Sequence, residues 1–75
     1  MESVTLVRDD DGETEVWEVT WAGLDVEVAS GIESEPLRTK TKKFRTHREA
    51  EEWIRAELAK RMKDGFKIRE TATPS

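Results

Sequence analysis

Six basic side chains lie within residues 38–48, RTKTKKFRTHR, and no acidic residue interrupts them. They are Arg38, Lys40, Lys42, Lys43, Arg45 and Arg48. Guanidinium and ammonium groups at this density bind phosphates, and each phosphate they neutralise makes binding weaken more steeply with salt. Arg38, Lys40 and Lys42 share strand parity, so an extended chain presents them as one row. We therefore predict a weak nucleic-acid or polyanion surface, and the alternative is that this strip pairs internally with the acidic part of the chain.

Acidic residues dominate the first half of the chain. Residues 1–37 carry a net charge of −10, against +6 for residues 38–48 and zero for residues 49–75. Four of the acids lie at a predicted hairpin turn: Asp9, Asp10, Asp11 and Glu13. The turn is predicted from the Asp11-Gly12 pair. Their order lacks the distal bidentate Glu of a calcium loop, so we predict a solvated turn. A protein-interaction surface on this hairpin, or on an exposed sheet edge, is the alternative function.

Catalytic and metal-binding patterns are missing from the sequence. His47 is the single histidine, there is no cysteine, and no acid is placed to partner the imidazole. No nucleophile–base pair or glycine-rich phosphate loop is present. We expect a non-enzymatic protein with no cofactor and no metal.

The clearest structural element runs from Thr46 to Phe66. Thr46 and Glu49 form a capping-box pattern at its start, and Asp64-Gly65 predicts its end. Between them, apolar residues and one arginine recur at helical spacing: Ala50, Trp53, Ile54, Leu58, Arg61 and Met62. These residues predict one amphipathic helix of about five turns.

The segment TEVWEVTW (14–21) predicts a strand that places Trp17, Val19 and Trp21 on its core face. Ala22-Gly23 predicts a tight turn into LDVEVA (24–29), with Trp21 opposite Leu24 in the predicted register. The other face would carry Glu18 and Thr20 with Val16, as a candidate partner surface.

Further strands are predicted before and after this hairpin. Residues 4–8 alternate as a first strand, residues 37–44 resume an extended pattern ending at Phe44, and Phe66 and Ile68 could point inward from a short last strand. The predicted fold class is α+β, with a four- to five-stranded antiparallel sheet packed on one long C-terminal helix. Residues 1–70 would form the single domain and 71–75 a frayed tail.

Size and composition limit the protein class. At 75 residues, 40% of them charged, the chain is expected to form one small core with a highly charged surface. No apolar run approaches the ~20 residues of a membrane span, and the N-terminus shows no signal pattern. We expect a soluble, cytoplasmic protein without a membrane partner, and the sequence does not specify its oligomeric state.

The order of these features resembles the WGR domain, which occurs in poly(ADP-ribose) polymerases and in a range of bacterial proteins. VWEVTWAGLDVEVASG resembles its tryptophan-bearing hairpin, TKTKKFRTHREAEEWI its Lys-rich strand leading into the helix, and KRMKDGF its helix exit. The resemblance covers roughly residues 14–68 and implies the same sheet-and-helix fold, with binding to DNA ends as the family's function.

The Trp-Gly-Arg signature itself is absent. It would lie near residues 28–31, where this chain reads Val28-Ala29-Ser30-Gly31. In the family the tryptophan stacks and the arginine pairs with phosphate, and neither role carries over to a residue here. The resemblance therefore implies the fold and leaves the basic strip as the candidate contact surface.

Overall fold

Five antiparallel strands and one helix make up residues 2–72, the part of the chain that this computed structural model describes. In chain order the elements are β1 (Glu2–Asp10), β2 (Glu13–Ala22), β3 (Asp25–Ile32), β4 (Arg38–Lys43), α1 (His47–Lys63) and β5 (Lys67–Ala72). The strands form one sheet in the order β4-β3-β2-β1-β5. The predicted α+β fold is confirmed, including the fifth strand. No helix of residues 2–72 is long and apolar enough to cross a membrane.

Two tight turns set the register of the central hairpins. Asp11 and Gly12 both have positive φ, 49° and 81°, as a type I′ turn between β1 and β2 requires. The β2–β3 turn is formed by Gly23, with φ 62°, and Leu24, so that Trp21 lies opposite Val26. The predicted register, with Trp21 opposite Leu24, is therefore wrong by two residues. The facing of the side chains is unchanged, since a shift of two residues keeps strand parity.

Local hydrogen bonds fix both ends of α1. The Thr46 hydroxyl accepts a hydrogen bond from the Glu49 amide at 3.1 Å, as predicted for the N-cap. At the other end Gly65 has φ 102°, and its amide and that of Phe66 donate to the carbonyls of Met62 and Arg61. This is a Schellman motif, and it folds the buried Phe66 back onto the last helical turn.

The helix connects the two edge strands and packs across one face of the sheet. The core is formed by seven buried residues: Leu6, Trp17, Val19, Val26, Ala50, Ile54 and Phe66. Trp17 is only 3% exposed, whereas Trp21 and Trp53 are half-buried at the margin of this core. The predicted core face of β2 is confirmed.

Three apolar residues lie differently from the prediction. Met62 is 47% exposed, because Phe66 folds back beneath the last turn of the helix. Ile68 lies opposite the buried Leu6 but is 54% exposed, because β5 is an edge strand and has no further strand beside it within residues 2–72. Val16, predicted for the partner-facing side of the sheet, is only 7% exposed.

Val16 lies on a face of the sheet that is crossed by an ion pair between distant elements. It lies opposite Val7 and Gly31 on the sheet face away from α1. Arg69 of β5 donates to Glu33, just after β3, at 3.0 Å. This ion pair crosses the outer face of β1 and β2, since those strands separate β5 from β3.

Arg8 of β1 connects the sheet to the C-terminal end of α1. Its guanidinium donates to the Asp64 carbonyl at 2.8 Å and to the Glu15 carboxylate at 2.9 Å, and it lies 4.8 Å from the centre of the Phe66 ring. A cation at a helix C-terminus also interacts favourably with the helix dipole. Arg8 is therefore a structural residue of the core margin.

The last strand extends through Ala72, two residues into the predicted tail 71–75. Residues 73–75 lie outside the described residues.

Candidate nucleic-acid interface

The basic strip forms the edge strand β4 and the turn into α1. All six β4 residues are exposed, and within residues 2–72 this strand pairs with β3 alone. Lys42 lies opposite Val26, whose side chain is buried under the helix. Lys40 and Arg38 have the same parity as Lys42, so all three lie on the helix side of the sheet. We call Arg38, Lys40 and Lys42 the basic row.

The other three candidate residues lie apart from this row. Lys43 has the opposite strand parity, opposite Asp25, and so faces away from α1. Arg45 is exposed just before the helix cap, and Arg48 is exposed in the first helical turn. The structure thus divides the six predicted residues into a row of three and three dispersed cations.

A groove of about 600 Å³ separates the basic row from α1. Trp17, Val28 and Ser30 form its floor, and the helix residues Trp53, Glu57 and Arg61 form the opposite wall. Ligand sites in proteins are typically clefts of ~300–1,000 Å³. The groove is therefore large enough to hold part of a ligand, with cations along one side.

Lys42 lies over aromatic rings at one end of the groove. Its ammonium nitrogen is 4.9 Å from the centre of the Trp53 ring and 5.8 Å from that of Phe44. The two rings are tilted against each other with centroids 5.8 Å apart. Cation–π contacts of this kind contribute about 0.5–1 kcal/mol at exposed sites. They hold the Lys42 ammonium in the groove without an acidic partner.

Arg61 lines the groove from the helix. Its guanidinium lies 5.4 Å from the centre of the Trp17 ring and 3.7 Å from the Glu57 carboxylate. Its side chain is 30% exposed, so the group is fixed against the core and still borders the groove. The sequence analysis placed Arg61 on the apolar stripe of the helix and did not include it among the candidate binding residues. The sequence signal for such a role was the presence of a basic residue within an otherwise apolar stripe.

Among the described residues, the basic strip makes no ion pair at contact distance with the acidic half. The ion pairs within residues 2–72 are Arg8–Glu15, Arg48–Glu52, Glu57–Arg61 and Glu33–Arg69. Of the strip, Arg48 alone takes part, with a helix neighbour, and both side chains are largely exposed. Such surface pairs contribute little to stability. The positive charges of the basic row are therefore not neutralised by an ion pair within residues 2–72.

The acidic hairpin lies at the exposed β1–β2 turn. Asp9, Asp10, Asp11 and Glu13 are all exposed, and Asp9 accepts a hydrogen bond from the Thr14 hydroxyl at 2.9 Å. No cluster of three or more metal-ligating side chains occurs among residues 2–72. His47 is exposed at the first position of α1.

Comparisons with known proteins support the fold and leave the family open. No protein-family model and no curated protein matches this chain. The chain is similar to a crystal structure of a Bacteroides fragilis protein determined as a structural-genomics target, with a TM-score of 0.83 and 25% sequence identity over 91% of this chain. This chain spans 19% of the length of that protein. The solved structure thus contains a segment with the same sheet-and-helix fold.

Proposed function

We propose that this chain is a non-enzymatic, cytoplasmic binding module that holds nucleic acid or another polyanion through the basic row. The observation that supports this most directly is the position of Arg38, Lys40 and Lys42. They lie side by side on an edge strand, on the border of a groove, and make no ion pair within residues 2–72.

The overall acidic charge of the chain is compatible with such a role. At physiological ionic strength, charges separated by more than about 8 Å in solvent are largely screened. A bound phosphate therefore interacts mainly with the cations that it touches, even though the chain has a net charge of −4. The expected affinity is modest, because three to six cations are available instead of a wholly basic surface.

We further propose that the chain is a WGR-like domain in which the surface that contacts nucleic acid differs from that of the family. Val28 and Ser30, which line the groove floor, belong to the stretch where the family's signature would lie. Side chains smaller than tryptophan and arginine at these positions leave room between β4 and α1. In this proposal the Lys-rich strand takes over phosphate contact from the missing signature.

A salt-series titration tests this function. Labelled single-stranded DNA, duplex and nicked duplex are titrated with the protein, starting at low salt. We expect binding that weakens with salt and is lost when Lys40, Lys42 and Lys43 are all replaced by Glu. If none of the three DNAs binds at low salt, the proposal is wrong.

A second candidate function is docking of a basic protein partner on the acidic hairpin. It is supported by the exposure of Asp10, Asp11 and Glu13, which make no ion pair within residues 2–72. Its test is binding to an isolated partner that survives nuclease treatment and is lost after charge reversal at Asp9, Asp10 and Asp11. Persistence of binding in that variant would exclude the hairpin as the contact surface.

A further inference from the structure

We propose that the groove between β4 and α1 takes an unpaired base of a single-stranded nucleic acid, while the phosphates beside that base bind the basic row. This inference rests on the proposed function and names its substrate class. It is argued from the spacing of the cations, the shape of the groove and the flat side chains that border it.

The spacing of the basic row suits an extended strand. Alternate residues of a β-strand are separated by about 6.6 Å, so Arg38, Lys40 and Lys42 are placed at that interval along β4. Successive phosphates of an extended single strand are separated by a similar length. One strand running along β4 therefore brings one phosphate to each cation.

The shape of the groove favours an unpaired base over a duplex. A duplex offers phosphates on its outside and keeps its bases stacked within, so it would contact the row and leave the groove of about 600 Å³ empty. A single strand can turn a base away from its backbone. The floor residues Val28 and Ser30 are small and leave depth for such a ring.

Two flat groups on the helix wall provide stacking surfaces. Trp53 and Arg61 both line the groove, eight residues and about 12 Å apart along α1. Bases stack on aromatic rings and also on arginine guanidinium planes. The Arg61 guanidinium carbon already lies 5.4 Å from the centre of the Trp17 ring.

Lys42 couples phosphate binding to base binding. In the free protein its ammonium lies over the Trp53 ring. A phosphate is a stronger partner for an ammonium than an aromatic ring is, because the hydrogen bond is charge-assisted. A phosphate at the row therefore draws Lys42 away from Trp53 and exposes the ring to the neighbouring base.

The test compares ligands that have the same phosphates and differ in their bases. A short oligo(dT), an abasic phosphodiester of equal length, a duplex of the same strand length and poly-glutamate are titrated at one low salt concentration. Stacking of one base predicts that oligo(dT) binds about 5- to 150-fold more tightly than the abasic strand. We also expect weaker binding of the duplex and of poly-glutamate.

The outcomes separate this inference from the proposed function. Equal affinity for oligo(dT) and the abasic strand, or tighter binding of the duplex, would overturn the base site and leave polyanion binding intact. Poly-glutamate binding as tightly as oligo(dT) would overturn the nucleic-acid assignment. Failure of every ligand to bind would overturn the proposed function itself, and this inference with it.

Two variants that fill the groove locate the site. Val28→Phe and Ser30→Leu each add volume to the floor, and the ratio of oligo(dT) to abasic affinity is expected to fall toward one. Two positions are used because one variant could fail to fold, which circular dichroism detects. If a folded variant keeps the wild-type ratio of oligo(dT) to abasic affinity, the base does not occupy this part of the groove.

Trp53 gives an independent signal. Oligo(dT) is expected to quench tryptophan fluorescence in the wild-type protein, and Trp53→Phe is expected to remove most of that quenching, because Trp17 on the groove floor is only 3% exposed and Trp21 does not line the groove. Quenching of the same size in Trp53→Phe would show that no base stacks on Trp53.

Discussion

Replacing Lys40 and Lys42 with alanine should flatten the salt dependence of single-strand binding. Each phosphate neutralised on a single strand contributes about −0.7 to the slope of log K against log salt. Three contacts at the basic row give a slope of about −2.1, and the double variant, with Arg38 alone, keeps about −0.7. Between 50 and 200 mM salt, wild-type affinity should fall about 18-fold and that of the variant about 2.6-fold.

Fluorescence anisotropy of labelled oligo(dT) measures these slopes directly. The matched control is Lys60→Ala with Lys67→Ala, which removes the same net charge from exposed positions that do not line the groove. The control should keep the wild-type slope. If the control and the Lys40/Lys42 variant lose the same slope, binding follows net charge and the basic row has no special role.

Three further predictions concern the stability of the scaffold, each measured as the free energy of unfolding in urea. Arg8→Ala should lower it by about 1–2 kcal/mol, because the partly exposed guanidinium loses its bond to the Asp64 carbonyl at the helix end; no change would mean that this contact is unimportant in solution. Gly65→Ala should lower it by about 1–2 kcal/mol, because φ at this position is 102° and a Cβ is strained there; a neutral effect would argue against the Schellman end. Trp17→Ala should lower the free energy of unfolding by about 3–5 kcal/mol and leave little folded protein, because Trp17 is buried in the core. Trp53→Ala should lower it by only about 2 kcal/mol and leave a folded domain, because Trp53 is half-buried at the core margin. A larger loss for Trp53→Ala than for Trp17→Ala would mean that the core is centred differently.

The helix and the facing of the strands were predictable because their signals are local. Thr46 caps the helix through its own hydroxyl, and Gly65 ends it through a backbone angle that other residues adopt with strain. The alternation of Trp17 and Val19 places both on the core face whatever their strand partners are. Such features need no knowledge of distant residues.

Features that depend on distant contacts were harder to predict. The β2–β3 register differs by two residues from the prediction, because a two-residue turn at Gly23-Leu24 and one at Ala22-Gly23 give the same facing. Val16 is buried on the sheet face that the Arg69–Glu33 ion pair crosses, and the members of this pair are 36 residues apart in sequence. Nothing in the local pattern around Val16 indicates that ion pair.

The candidate site was predictable as a list of cations and not as a groove. Strand parity alone puts Arg38, Lys40 and Lys42 in one row. Whether that row faces the helix or the solvent depends on the pairing of β4 with β3, which places Lys42 opposite the buried Val26. The groove exists because α1 does not cover the sheet as far as the edge strand β4. How far the helix covers the sheet depends on how the two pack together, which the local sequence pattern does not show.

The most direct test of a nucleic-acid site at the basic row is a map of amide chemical shifts in the ¹⁵N-labelled protein titrated with oligo(dT). The proposed site predicts that the largest changes occur along Arg38–Lys43, at Ser30 and at the Trp53 indole, with little change at the acidic hairpin. Changes centred on residues 9–13, or none anywhere at low salt, would contradict a nucleic-acid site between β4 and α1.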